Sequence, residues 1–383
     1  MKRIIWFGLA IVFLLQSSSA LAAAGENLSL TAKSAVLMDQ ATGTVLFEKD
    51  AHKKLYPASV TKIMSLLLFM EALEQKKLHL KDAVEATKEA VEKGGSQIWL
   101  KEGEQMTVDE LLRATAIGSA NDACTALAVK LCGSEAAFVA QMNEKAAKIG
   151  MKDTLFRNCT GLDDDAPDHL STAYDIALMS RALLQKPAIQ KYTTVWMDSL
   201  RNGETQLVNT NKLVRFYDGT TGLKTGTTSK AGCCVSASAK RGSLHLIAVV
   251  MQAESSAARF SDARAMLDWG FATFESVQPK VDPALLRPVR VLRGVQELVK
   301  AQAEQPRPLL LKKGEAEALQ VRVELAEEVA APVEERQVLG ELQILLNKRK
   351  VAGYPIYASA AVRKLSFSDV LRRLLLSLSA RAA

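Results

Sequence analysis

Ser59 and Lys62, in Ser59-Val60-Thr61-Lys62, are spaced for nucleophilic chemistry. On a helix, residues three apart share a face within side-chain reach. A neutral Lys62 is therefore placed to take the Ser59 proton, provided burial or a neighbouring cation depresses its pKa. Ser59 at a helix N-terminus also gains the positive end of the helix dipole, which favours developing negative charge. The motif occurs once, directly after the turn Tyr56-Pro57-Ala58. Ser119 and Asn121 lie 60 residues on, where a loop enters a helix. Alone, they fit equally well a cap that satisfies free N–H groups. Lys224, Thr225, Gly226 and Thr227 set a cation, hydroxyls and a glycine on an expected strand edge. Such an edge takes an extended peptide as an added strand, with Lys224 and Thr225 facing its carboxylate. A glycine turn with a surface lysine is the plain alternative.

Other chemistries have less to work with. The chain has 4 histidines, His52, His79, His169 and His245, and neither G-x-S-x-G nor H-E-x-x-H. A Ser-His-Asp hydrolase and a zinc peptidase are thus unsupported. His169, beside Asp168 in a polar loop, reads as a surface residue. Acyl chemistry falls to lysine, and no metal or cofactor is expected. The 5 cysteines, Cys124, Cys132, Cys159, Cys233 and Cys234, match no zinc spacing and are odd in number. Cys124 and Cys132, two helical turns apart, are too distant to bridge. They read as small buried hydrophobes.

The elements that must hold these groups follow from periodicity. Ser34 to Lys49 reads as a hairpin with its turn at Ala41-Thr42-Gly43. A helix starts near Ser59, with Ile63, Leu66, Leu67, Met70 and Leu73 as its buried face. Helices are expected over 108–117, 121–131, 135–149 and 173–184, strands over 232–239 and 244–252, then a helix over 255–274. A strand pair, a helical insert, further strands and a closing helix predict an α+β fold, an antiparallel sheet carrying helices. After Glu275, five prolines fall within 30 residues. Alternating runs at 319–325, 338–345 and 353–358 then predict a small all-β domain.

The two ends differ from the body. Lys2-Arg3, an apolar run over 4–15 and Ala20-Leu21-Ala22 form a secretory signal peptide over 1–22, an uncleaved anchor being the alternative. Without Lys2 and Arg3 the 49 basic residues become 47, against 42 acidic. An excess of about +5 spread along the chain is no nucleic-acid footprint. At the C-terminus Phe367, Val370, Leu371, Leu374, Leu375 and Leu378 form one stripe, with Arg372, Arg373 and Arg381 among polar positions. That is the pattern of an in-plane membrane helix, or of a helix packed back on the β domain.

Together and in order, the three clusters resemble the S-x-x-K, S-x-N and K-T-G motifs of penicillin-binding proteins and serine β-lactamases. The resemblance is closest to low-molecular-mass D-alanyl-D-alanine carboxypeptidases. It extends through Leu55-Tyr56-Pro57-Ala58, Gly118-Ser119-Ala120-Asn121-Asp122-Ala123, Phe156-Arg157-Asn158-Cys159-Thr160-Gly161-Leu162 and Leu267-Asp268-Trp269-Gly270-Phe271. It implies a transpeptidase-like catalytic domain over 26–275, a β-sandwich domain over 276–362 and a membrane-association helix over 363–383. Ser59 would attack the penultimate D-Ala carbonyl of a peptidoglycan stem peptide, with Lys62 as base. Backbone N–H groups of Ser59 and Thr227 would form the oxyanion hole, where one donor is worth about 10²–10³ in rate. Ser119, helped by Lys224, would relay a proton to the leaving D-Ala, and Asn121 would position the substrate amide. Lys224, Thr225 and Arg259 would hold the terminal carboxylate. Thr227 stands where the family often has a bulkier residue after Gly226. The resemblance further implies acylation by β-lactams and export to the outer face of the cytoplasmic membrane, the periplasm or the wall space.

Three rivals use the same groups. A class A β-lactamase needs a deacylating glutamate in an E-x-x-x-N setting. Of Glu135, Glu144 and Glu204, the first two lack that asparagine and the third is too near Lys224. A D,D-endopeptidase would use identical residues, and a non-catalytic β-lactam-sensing or wall-binding module would be expected to have lost one of them.

Overall fold

The computed structural model describes residues 28–163 and 166–379, with side chains to residue 374. The expected signal peptide, Arg381 and the side chains of Leu375 and Leu378 lie outside the described residues. The chain forms two compact units that divide between Phe271 and Ala272.

In the first unit β1 (Ser34–Asp39) and β2 (Val45–Lys49) form the hairpin. They are followed by α1 (Lys62–Glu74), β3 (Ala83–Glu85), α2 (Lys88–Val91), β4 (Gln105–Thr107), α3 (Val108–Ala116), α4 (Asn121–Cys132), α5 (Glu135–Lys148), α6 (Ala173–Leu184) and α7 (Gln190–Thr193). A hairpin of β5 (Met197–Leu200) and β6 (Thr205–Val208), then α8 (Leu213–Phe216), lead back to the sheet. There β7 (Thr220–Thr228), β8 (Gly232–Arg241) and β9 (Leu244–Ala253) run antiparallel before α9 (Ser256–Thr273).

The sheet order is β2-β1-β9-β8-β7, so the first strands pair with the last and β7 is an edge. The long apolar runs of β1 and β9 follow from burial on both faces. Val36, Val249 and Ser236 share one face, where Ser236 meets Ser180 of α6. Leu37 and Leu246 meet α9 at Gly270, where a Cβ would come within 2.9 Å of both side chains.

Helix α1 is buried on every side over its first nine residues, including Ser65, Leu68 and Phe69, not on the single face its periodicity suggested. The reason is its central place, packed against α3, α4, α5 and α6. The helix starts follow ordinary capping physics. Thr107 and Glu110 close a capping box on α3, while Ser134 and Thr172 accept the N3 amides of α5 and α6. Gly133, at φ 81°, ends α4.

The second unit has its own core of Val289, Val291, Val299, Val333, Leu339, Ala358 and Val362. Its strands are β10 (Phe274–Val277), β11 (Val289–Leu292), β12 (Leu298–Val299), β13 (Ala301–Ala303), β14 (Leu309–Lys312), β15 (Leu319–Leu325), β16 (Glu328–Ala330), β17 (Val338–Leu346) and β18 (Arg349–Ala358). They form sheets β10-β14, β12-β11-β16 and β13-β18-β17-β15. Because β10 pairs with β14, strand structure of this unit begins at Phe274, ahead of residue 276. Helix α10 (Phe367–Ser379) follows.

Candidate active site

Ser59 sits in a 3₁₀ turn (Ala58–Thr61) that leads into α1, so Ser59 stands just ahead of the α-helix and Lys62 opens it. Lys62 Nζ lies 2.9 Å from Ser59 Oγ, 2.5 Å from Asn121 Oδ1 and 2.9 Å from the Thr160 carbonyl. The lysine is fully buried, and burial lowers its pKa to about 8 against the opposing pull of Cys124, Cys159 and Asp122. A neutral amine here keeps two donors for Asn121 and Thr160 and turns its lone pair to the Ser59 hydroxyl.

The Thr160 carbonyl is set by a loop that sequence reasoning noticed only as a block. Asn158 Oδ1 accepts from the amides of Thr160 and Gly161, at 3.2 and 2.7 Å. Glu135 accepts from the Cys159 amide at 3.0 Å, and Ser65 Oγ donates to the Cys159 carbonyl at 2.6 Å. Gly161, at φ 89°, seats this loop on the Ser59 turn. A Cβ there would lie 1.8 Å from the Ala58 carbonyl oxygen.

His169 is not the surface residue its polar neighbours suggested: it is 1% exposed. Its Nδ1 accepts from the Arg157 amide at 3.2 Å, so in the neutral ring Nε2 carries the proton and donates to Thr61 Oγ1 at 2.9 Å. Burial holds its pKa down at about 4. The exposed partner of Arg157 is Asp168, and His169 turns inward to brace the Ser59 turn through Thr61.

Ser119 and Asn121 do not form a cap. Ala120 occupies the N-cap of α4 and no side chain caps it. Ser119 is buried at φ 64°, a costly conformation for serine, and its hydroxyl takes no hydrogen bond among the described residues. Asn121 Nδ2 donates to the Gly94 carbonyl at 2.6 Å and its amide to the Ser96 carbonyl at 2.7 Å. With Oδ1 on Lys62, both polar atoms of the side chain are engaged, so in this arrangement Asn121 orients the Lys62 amine. Asp122 fixes segment 94–100, accepting from the Ile98 and Leu100 amides at 3.2 and 3.0 Å. That segment did not stand out in the sequence and Asp122 appeared there only within the Gly118–Ala123 block, because they act through backbone groups.

Edge strand β7 closes the site. Gly226 permits its approach: a Cβ there would be 2.8 Å from the Pro57 carbonyl oxygen and 2.9 Å from the Ser59 amide nitrogen. Lys224 is buried, its pKa pushed well below the usual lysine value by burial and then by Lys62 and Arg259. Thr225 Oγ1 donates to Thr210 Oγ1 at 2.7 Å, a partner the motif does not include. Arg259 reaches β7 from α9 and donates from Nη1 to Thr227 Oγ1 at 2.8 Å and to the Gly226 carbonyl at 3.0 Å. Burial lowers its pKa too, and its Nε has no partner among the described residues. Arg264 lies elsewhere, exposed and bonded to the Phe216 carbonyl. Lys224 and Arg259 make no ion pair among the described residues, and unpaired buried cations are costly unless an anion joins them. No group of three or more His, Cys, Asp or Glu side chains is placed to hold a metal among the described residues.

Residues 20–255 match the peptidase S11 family, D-alanyl-D-alanine carboxypeptidase, and residues 274–364 match the C-terminal domain of penicillin-binding protein 5. The chain is 39% identical to the D-alanyl-D-alanine carboxypeptidase DacF of Bacillus subtilis, over 91% of this chain and 90% of that one. It is 35% identical to DacC of Escherichia coli, over 89% and 87%. Penicillin-binding protein 5 of Haemophilus influenzae superposes with a TM-score of 0.75 at 30% identity, covering 88% of this chain and 98% of that one. Ampicillin-bound penicillin-binding protein D2 of Listeria monocytogenes superposes with a TM-score of 0.59 at 31% identity, over 64% of this chain and 99% of its own. Sequence, fold and an assembled serine–lysine centre agree: the chain belongs to the D-alanyl-D-alanine carboxypeptidase family of serine peptidases.

Proposed function

We propose that this chain removes the terminal D-alanine from peptidoglycan stem pentapeptides through an acyl-enzyme on Ser59. The observation that carries the reading is the buried Lys62 amine, 2.9 Å from Ser59 Oγ and oriented by Asn121. Lys62 takes the hydroxyl proton as Ser59 Oγ attacks the penultimate D-Ala carbonyl. The Ser59 and Thr227 amides receive the developing oxyanion, a placement supported by the close seating of β7 against the Ser59 turn. Ser119, whose hydroxyl is uncommitted among the described residues, relays a proton to the departing D-Ala nitrogen, giving up its own and taking in its place the one Lys62 accepted, so that both side chains are restored. Lys224, Thr225 and Arg259 bind the terminal carboxylate, which supplies the anion their burial calls for. Water then releases the shortened stem peptide.

β-Lactams acylate the same serine, and the acyl-enzyme persists. Glu135, the one buried glutamate between the second and third motifs, is engaged with Lys93 and the Cys159 amide rather than with an attacking water. Residues 1–22 direct export, and α10 holds the enzyme in the plane of the membrane's outer face. Exposed Phe367, Val370, Leu371 and Leu374 on that helix support the anchor.

The test is a fluorescent penicillin on purified protein, with D-Ala release from a synthetic stem pentapeptide measured alongside. The unmutated chain should label and release D-Ala, and Ser59→Ala should do neither. Labelling without D-Ala release, or faster cleavage of a crosslinked dimer than of the pentapeptide, would overturn the carboxypeptidase assignment.

A further inference from the structure

An open cleft of about 710 Å³ is lined on one side by Trp99, Lys101 and Glu104 and on the other by Arg201, Glu204 and Thr205. Trp99 has φ 58°, a costly conformation for a bulky residue, and its side chain is 75% exposed. Its neighbours Ile98 and Leu100 are buried, their amides held by Asp122. Backbone strain thus turns a single indole out to solvent while both flanking residues point inward. Across the cleft, Arg201 and Asn202 at the tip of the β5–β6 hairpin also have positive φ, 51° and 55°. Arg201 ties the two walls together: it donates to Glu104 at 2.8 Å, to the Ile98 carbonyl at 2.9 Å and to Thr205 Oγ1 at 2.8 Å. The floor is therefore fixed before anything binds.

The chemistry of this cleft is one aromatic face ringed by carboxylates, cations and hydroxyls. An apolar peptide wants several apolar walls, and nucleic acid would meet Glu102, Glu104 and Glu204. A pyranose ring suits it, with C–H groups for the indole and hydroxyl and acetamido groups for the rim. We propose that the cleft binds an amino-sugar of the glycan strand that carries the stem peptide. The inference rests on the carboxypeptidase reading and adds that the preferred substrate is glycan-linked. The two sites share one segment, since 94–100 also supplies the Gly94 and Ser96 carbonyls that hold Asn121.

The experiment compares kcat/KM for D-Ala release from free pentapeptide and from the same pentapeptide on its N-acetylglucosaminyl-N-acetylmuramyl disaccharide. The unmutated enzyme should prefer the disaccharide-linked substrate by about tenfold, the effect of one good stacking contact. Trp99→Ala should abolish the preference and Trp99→Phe keep most of it, with penicillin acylation unchanged in both. In the unmutated enzyme, chitotetraose should inhibit release from the disaccharide-linked substrate and not from the free peptide, a readout independent of how the variants fold. No preference in the unmutated enzyme, equal slowing of both substrates by Trp99→Ala, or indifference to chitotetraose overturns the glycan site. Failure to release D-Ala from either substrate instead removes the carboxypeptidase reading on which it rests.

Discussion

At the scale of single residues, the state of Lys62 decides whether Ser59 has a base. Burial brings the ammonium to about 8, so it is mostly protonated at pH 6 and mostly neutral at pH 9. Only the neutral form accepts the Ser59 proton. Second-order acylation by a fluorescent penicillin should therefore rise about tenfold per unit below pH 8 and level off above it. Lys62→Arg, which cannot deprotonate, should lose at least about 10²-fold. Lys224 is also lowered, but it is not the base in this mechanism. Lys224→Arg should react more slowly and still show the ascending limb. A profile flat from pH 6 to 9 would rule out Lys62 as the titrating base.

At the scale of elements, the proposed oxyanion hole depends on how closely β7 approaches the turn before α1. Gly226 leaves no room for a side chain, since a Cβ would press on the Pro57 carbonyl, the Ala58 methyl and the Ser59 amide at 2.8–2.9 Å. These are rigid atoms, so the strand must retreat. Gly226→Ala should cost about 1–3 kcal/mol of stability, as overpacking does. It should also slow acylation at least about 10²-fold, the worth of one oxyanion donor. Thermal melts and stopped-flow labelling measure the two effects; full acylation in a destabilised variant would show that strand approach is not what builds the hole. Much of this frame was legible in the sequence. Apolar spacings marked the helices, the proline-containing turn before Ser59 marked the start of α1, and three short motifs marked residues that the fold brings together. What stayed hidden is non-local or carried by backbone. Thr160 serves Lys62 through its carbonyl, Gly94 and Ser96 serve Asn121 through theirs, and Thr210 meets Thr225 only after α8 turns the chain. His169 misled because its local neighbours are polar, whereas its burial comes from contact with Thr61, 108 residues away in sequence.

At the scale of the whole molecule, every group assigned to catalysis lies in the first unit, while α10 belongs to the second. No single described helix is long and apolar enough to cross a bilayer. On the proposed reading α10, 13 residues long, lies in the plane of the membrane surface rather than across it. Ser366 starts this helix by accepting the Asp369 amide, and Asp369 pairs with Arg363. Phe367 is 84% exposed, and Val370, Leu371 and Leu374 are exposed with it. Arg372 and Arg373 share the helix with that apolar stripe, so anionic headgroups should add about 1 kcal/mol for each basic residue near the surface. The full chain without residues 1–22 should sediment with vesicles containing about a quarter phosphatidylglycerol, less strongly as salt rises and the Debye length shortens. A chain ending at Ser366 should stay in the supernatant while releasing D-Ala from soluble pentapeptide at the same rate. Equal sedimentation of both chains would locate membrane contact outside α10. Salt-independent binding of the full chain would leave the apolar stripe acting without the arginines.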